Sequence, residues 1–155
     1  MVNPFMARAI QLSIENVGKD RGGPFGAVIA RGPEIISEGT NRVTATNDPT
    51  AHAEIVAIRL ACQKLCTFEL KDCEIYSSCE PCPMCLGAIY WTRLACVYFA
   101  GLATDASKAG FDDSLIYDEI GHPRGHRKIP MIPLMREQAL EAFRLWATKP
   151  DKISY

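Results

Sequence analysis

Surplus positive charge is missing: seventeen Lys and Arg stand against eighteen Asp and Glu, a net charge of −1. So balanced a chain has no long-range attraction for a phosphate backbone, which favours a small-molecule substrate over nucleic acid. The nearest basic run, HPRGHRK at 122–128, reads as a solvated loop. No secretory leader is expected either, since MVNPFMARAIQLSIENV lacks the charged-then-apolar layout of one. No disulfide framework is visible, because the seven cysteines are odd in number and show no scaffold spacing. The most apolar window, LGAIYWTRLACVYFAGLA, has the length of a membrane span. Arg93 interrupts it, and its period changes from helical to alternating near Leu94, so it reads as a buried helix followed by a strand. A reducing cytoplasm and no membrane are therefore expected. There is no internal repeat, low-complexity segment or domain linker.

What remains is ordinary globular material, 48% apolar and 23% charged, long enough at 155 residues for one domain with a sizeable core. Phe5, Met6, Ala9, Ile10, Ser13, Ile14 and Val17 recur at three- and four-residue spacing and predict a helix ending near Gly18. RGGPFGAVIARGPEIISEGT reads as two strands around a turn at Arg31-Gly32-Pro33. A polar stretch, NRVTATNDPT, precedes a helix from about His52 to Leu65, with Ile55, Ala57, Ile58, Ala61, Cys62 and Leu65 inward. CEIYSSC is a short strand, and PCPMCLGAIYW opens another helix. LACVYFAG is apolar almost throughout, which predicts a strand buried on both faces. LATDASKAGFDDSLIYDEI reads as loop or short helices. IPMIPLM at 129–135 is expected to be an edge strand, because its two prolines cannot donate to a ladder. REQALEAFRLWATK is a last amphipathic helix, stopped by Pro150. The order predicts an α/β fold: a three-layer α/β/α sandwich, with a mixed five-stranded sheet and helices on both faces.

Chemistry is concentrated in two short stretches. In PCPMC, Cys82 and Cys85 stand three apart, on one face of a helical first turn, where the helix dipole favours thiolates. Alone, this C-x-x-C could equally be a redox pair or two buried cysteines. His52, at the start of another helix, offers a third ligand, although a lone histidine there would by default be a cap or a core residue. Three protein ligands leave one position of tetrahedral zinc open, as catalytic sites do. Glu54, two residues on, cannot face His52 on a helix. It can reach a water held by the same metal and carry its proton. A glutamate complementing the helix dipole explains Glu54 alone, but not the set.

The paired pattern H-x-E and P-C-x-x-C is the signature of zinc deaminases acting on nucleobases, and the chain resembles the cytidine and deoxycytidylate deaminase superfamily. GGPFGAVI (22–29), NDPTAHAE (47–54), SCEPCPMCLGAIYW (78–91) and AGFDDSLIY (109–117) look like the bacterial guanine deaminases within it. That resemblance implies a cytidine deaminase-like fold and one Zn(2+) per chain on His52, Cys82 and Cys85. It implies deamination of guanine to xanthine and ammonia, zinc-bound hydroxide attacking C2 with Glu54 as the proton shuttle. Substrate contacts would fall on Phe25, Asn41, Ala53, Asp113 and Tyr155. A homodimer is implied, with the C-terminal segment exchanged between subunits. Guanine presents N1–H and an exocyclic amine, for which a carboxylate and an amide oxygen are suitable acceptors. Bland readings stand beside these: Phe25 as core, Asn41 as a turn residue, Asp113 as a helix cap before SLIYDEI. The rival activities are guanosine deaminase, which shares the core motifs, then tRNA adenosine deaminase and cytosine deaminase. A structural zinc module would need a fourth ligand, for which Cys79 is the nearby candidate, and would leave Glu54 without a use.

Overall fold

The computed structural model describes residues 2–19 and 21–155, in two compact units, one ending at Asp113 and the other Ser114–Tyr155. In the first, a helix starts where Asn3 accepts the Met6 N–H at 3.0 Å and Pro4 supplies a preset first turn. This is α1, Pro4–Gly18. Strands β1 (Gly26–Arg31) and β2 (Glu34–Thr40) form a hairpin, turned at Gly32 with φ +54°. After a short helix, α2 (Val43–Thr46), come α3 (Ala53–Leu65), β3 (Glu74–Cys79), α4 (Pro83–Thr92) and β4 (Cys96–Gly101). A last short helix, α5, spans Ala103–Lys108.

The sheet order is β2-β1-β3-β4. β1 pairs antiparallel with β2 and β3, whereas β3 and β4 run parallel, joined by α4 as a crossover. Alternation along β1 sorts its side chains between two layers. Ala27 and Ile29 join Ile75 and the inward face of α3, while Val28 and Ala30 join Tyr76, Ala9 and Leu12 of α1. The result is the expected three-layer α/β/α sandwich.

Two glycines set the layer spacing. A Cβ at Gly26 would run into the Ala9 carbonyl and approach Leu12 of α1. One at Gly39 would meet the Ala53 carbonyl and lie 2.6 Å from the Ala57 nitrogen of α3. The backbone of β2 therefore rests directly on the first turn of α3.

Four expectations need correction. The sheet has four strands among the described residues, not five: residues 129–135 form no strand. Pro130 and Pro133 remove two of the donors a ladder needs. β4 is apolar but is not buried on both faces, since as an edge strand it leaves Tyr98 and Phe99 exposed. The inward face of α1 is rotated from the predicted one. Ala9, Leu12, Ser13 and Asn16 are buried, and Ile10, Ile14 and Val17 are exposed. The polar stretch 41–50 contains α2, which periodicity could not reveal in so few residues. The inward residues of α3 match the prediction, with Cys62 and Leu65 at the margin of its core cluster.

The second unit holds α6 (Ser114–Gly121), a turn of 3-10 helix at Arg124–His126 and α7 (Arg136–Thr148). Arg127 donates to the Ile120 and His122 carbonyls at the end of α6, and Glu119 accepts the Lys128 N–H at 2.7 Å. The run predicted to be a basic surface loop is thus partly spent on capping a helix.

Gly39→Ala should lower stability by about 1–3 kcal/mol, the usual cost of forcing atoms into a packed core. Thermal melting checks this; an unchanged midpoint would mean that β2 and α3 do not touch backbone to backbone.

Candidate metal centre and active site

Two helix beginnings converge. Asp48 accepts the Thr50 N–H at 2.8 Å and the Thr50 hydroxyl at 2.7 Å, fixing the turn before α3. His52 then occupies the N-cap position in extended conformation but makes no capping bond with its side chain. Cys82 is the corresponding residue of α4, also extended and also uninvolved in capping, with Pro83 as the first helical residue. Cys85 follows in that first turn, fully buried.

The ligand atoms of His52, Cys82 and Cys85 all lie within 4.8 Å of one another. His52 Nδ1 is 3.5 Å from Cys82 Sγ and 3.6 Å from Cys85 Sγ. Zinc bonds of about 2.3 Å to sulfur and about 2.0–2.1 Å to nitrogen, at a tetrahedral angle, place nitrogen and sulfur about 3.6 Å apart. The donor set therefore fits a zinc ion in size and in chemistry, and Nδ1 is the imidazole atom facing it. No fourth His, Cys, Asp or Glu joins the cluster among the described residues. Cys79 stands apart, its thiol directed at the Leu102 carbonyl at 3.7 Å.

Electrostatics favour anionic sulfur at this point. A hydrogen bond from the Cys85 thiol, reinforced by one from His52, brings Cys82 down to about 4. The same sharing of a proton between the two sulfurs, together with burial, holds Cys85 up. His52 is raised chiefly by its bond to Cys82. Both cysteines sit where a helix dipole presents its positive end.

Glu54 lies in the first turn of α3 and is buried at 6% exposure. Its Oε2 accepts from Cys85 Sγ at 3.5 Å and its Oε1 from the Ser77 hydroxyl at 3.3 Å. Burial is the main cause that raises its pKa, with its own backbone N–H acting against that. A carboxyl raised in this way by burial is suited to take up and release a proton. His52 and Glu54 do not face each other along the helix; both reach Cys85.

The other residues singled out in the sequence are placed as follows. Asn41 is buried, its N–H donates to the Phe25 carbonyl at 3.1 Å, and Phe25 meets Phe111 edge-on at 4.9 Å. Ala53 is fully buried between His52 and Glu54. Asp113 is raised chiefly by burial, and then by the negative charge of Cys82, Asp112 and Glu80. Tyr155 belongs to the second unit and is 71% exposed.

One assumption about Asn41 changes. Its side-chain oxygen already accepts the Gly23 N–H at 3.3 Å and the Val43 N–H at 3.2 Å. Two lone pairs are thereby engaged, which leaves the NH₂ group as the half of the amide not committed to these backbone donors. Three supporting residues escaped the sequence reading: Asn16, Ser77 and Phe111. Asn16 donates at 2.9 Å to both the Gly23 and Asn41 carbonyls. Its signal was a polar residue three positions after Ser13, on the buried side of a helix. Phe111 was visible only as part of G-F-D.

The comparisons agree with this geometry. Residues 2–101 match the cytidine and deoxycytidylate deaminase zinc-binding region. A guanine deaminase of Bacillus subtilis (strain 168) is 52% identical over 151 residues, 97% of each chain. The X-ray structure of guanine deaminase from Bacillus subtilis has a TM-score of 0.96, at 51% identity over 99% of each chain. A chain solved in complex with 2,6-diaminopurine has a TM-score of 0.67 at 32% identity, over 89% of this chain and 68% of that one. A tRNA-specific adenosine deaminase of Aquifex aeolicus (strain VF5) is 47% identical, but over 79 residues, 51% of this chain and 52% of that protein. A family match over most of the chain, a relative alike from end to end and a donor set of the right size lead to one statement: this chain belongs to the zinc-dependent cytidine and deoxycytidylate deaminase family.

Proposed function

We propose that the protein hydrolyses guanine to xanthine and ammonia. The observation that carries this is the end-to-end likeness to a guanine deaminase, which continues past residue 101, where the general family match stops. The likeness to a tRNA adenosine deaminase covers about half the chain. The complex of a relative with 2,6-diaminopurine supports a purine as ligand.

In this reading His52, Cys82 and Cys85 hold one zinc, which when bound makes water acidic enough to react near neutral pH. Everything else falls to the chain. Glu54 takes a proton from the attacking water and delivers it to ring N3, then takes the second proton from the hydroxyl added at C2 and gives it to the amine, which leaves as ammonia as the C2 carbonyl forms. Asp113 accepts from the N–H groups of the guanine edge, and the Asn41 NH₂ donates to an acceptor atom of the purine. The Ala53 N–H, in the first turn of α3 and without an intrahelical partner, donates to a substrate oxygen. Phe25, with Phe111 against it, walls the ring, and Tyr155 covers or hydrogen-bonds the base. The cytoplasm is the proposed compartment. Seven unpaired cysteines fit its reducing chemistry, and no helix among the described residues is long and apolar enough to cross a membrane.

The protein is further proposed to act as a homodimer that exchanges residues 114–155. Exposed Tyr90 and Trp91 on α4, and Ile129, Ile132, Leu134 and Phe143 in the second unit, are apolar surface a second copy would cover.

Supplied with guanine, guanosine, adenine, cytosine and a tRNA anticodon stem-loop, the enzyme should deaminate guanine fastest. Faster turnover of any other member of the panel would overturn the substrate assignment. Glu54→Gln should retain zinc and fold but lose about 10²–10⁴-fold in kcat, whereas Cys82→Ala should lose the metal. A Glu54→Gln enzyme within a few-fold of wild type would reduce Glu54 to a helix-start residue. Sedimentation equilibrium at micromolar concentration should give twice the chain mass, and removing residues 151–155 should lower kcat/KM without shifting the melt. A monomer, or a fully active truncation, would refute the corresponding role.

A further inference from the structure

We infer that Ser77 is a positioning residue for Glu54, anchoring one carboxylate oxygen so that the other is left to move protons. The inference rests on the proposed role of Glu54. Ser77 is buried at 2% exposure on β3, between β1 and β4 in the sheet. It pairs in register with Ala27 and so shares the face that packs under α3. Its hydroxyl donates to Glu54 Oε1 at 3.3 Å. The other oxygen, Oε2, receives the Cys85 thiol at 3.5 Å.

These two donors do not survive equally. A cysteine that ligates a metal has given up its proton. Cys85, as a metal ligand, would have no proton to offer Oε2, whereas Ser77 ligates nothing and keeps its hydroxyl proton for Oε1. That leaves Oε1 held from the sheet and Oε2 open toward the reacting water. The terminal torsion of a glutamate is broad and roughly two-fold, so an unanchored carboxylate would exchange its oxygens freely. One hydroxyl on a rigid strand removes that degeneracy. The neighbouring serines are used otherwise: Ser78 accepts the Gly26 N–H at 3.0 Å, and Ser37 donates to the Ala57 carbonyl at 2.7 Å. Those bonds hold backbone, whereas Ser77 holds a side chain that reacts.

At 3.3 Å the bond is long for a hydroxyl on a carboxylate, so its loss should cost far less than the loss of Glu54. Ser77→Ala should lower kcat about tenfold, with KM, zinc content and melting midpoint unchanged. In a Glu54→Gln background the same substitution should have almost no further effect, because the anchored oxygen no longer serves a base. Independently of activity, a crystal structure of zinc-loaded Ser77→Ala should show the Glu54 carboxylate in more than one orientation. Should the alanine variant not fold, Ser77→Cys, similar in size and a weaker donor, should give an intermediate fall in kcat. Wild-type kcat per bound zinc in the variant, or losses that simply multiply in the double variant, would overturn the inference. An inactive Glu54→Gln beside a fully active Ser77→Ala would sink the role of Ser77 alone. An active Glu54→Gln would sink the reading on which it rests.

Discussion

The convergence of two helix N-termini on one point is the constraint on which the site depends. His52 and Cys82 are both N-cap residues in extended conformation, and neither spends its side chain on capping. A polar cap such as serine would have satisfied an amide of its own helix. Imidazole and thiol are directed instead across the gap, meeting at 3.5 Å. Unsatisfied amides at both helix starts supply the partial positive charge that thiolates prefer. The sheet is fitted to this arrangement. Gly39 lets β2 press on the first turn of α3, and the parallel β3–α4–β4 unit carries Cys82 and Cys85 to the same end.

Hydrogen bonding and burial then divide the labour among groups of like charge. Cys82 is brought down to about 4 by its hydrogen bonds, while Glu54, beside it, is raised by desolvation. Adjacent acids pushed in opposite directions are what a site needs if one is to stay anionic and the other is to exchange protons. Around them lies a polar frame that keeps the loops in place. Asn16 clamps the Gly23 and Asn41 carbonyls. Asn41 in turn accepts from Gly23 and Val43, and Gly22 passes too close to Asn41 to carry a side chain.

The metal donor set, and the placement of a carboxylate beside it, were legible because their spacing is local: HAE and PCPMC each lie within one helical turn, and few other functions combine those residue types. Strand and helix order was legible for a similar reason, since β1, β3 and α3 carry strong apolar periods. The rest depended on distances between elements, which sequence does not encode locally. The inward face of α1 was misread because Ile10, Ile14 and Val17 repeat as well as the buried residues do, and only packing chooses between them. A fifth strand was expected of residues 129–135 because their apolar content outweighed two prolines that cannot donate. The orientation of the Asn41 amide is set by the Gly23 and Val43 N–H groups, which no local pattern reveals, and Ser77 gave no sign at all.

His52, Cys82 and Cys85 make a three-donor set suited to an open zinc site, with a separate carboxylate beside it. X-ray absorption at the zinc edge of the purified protein tests it most directly. Two sulfurs at about 2.3 Å and two lighter ligands at about 2.0–2.1 Å are expected, one from His52 and one exchangeable. A third sulfur in the shell, which Cys79 would have to supply, would close the site and contradict the account.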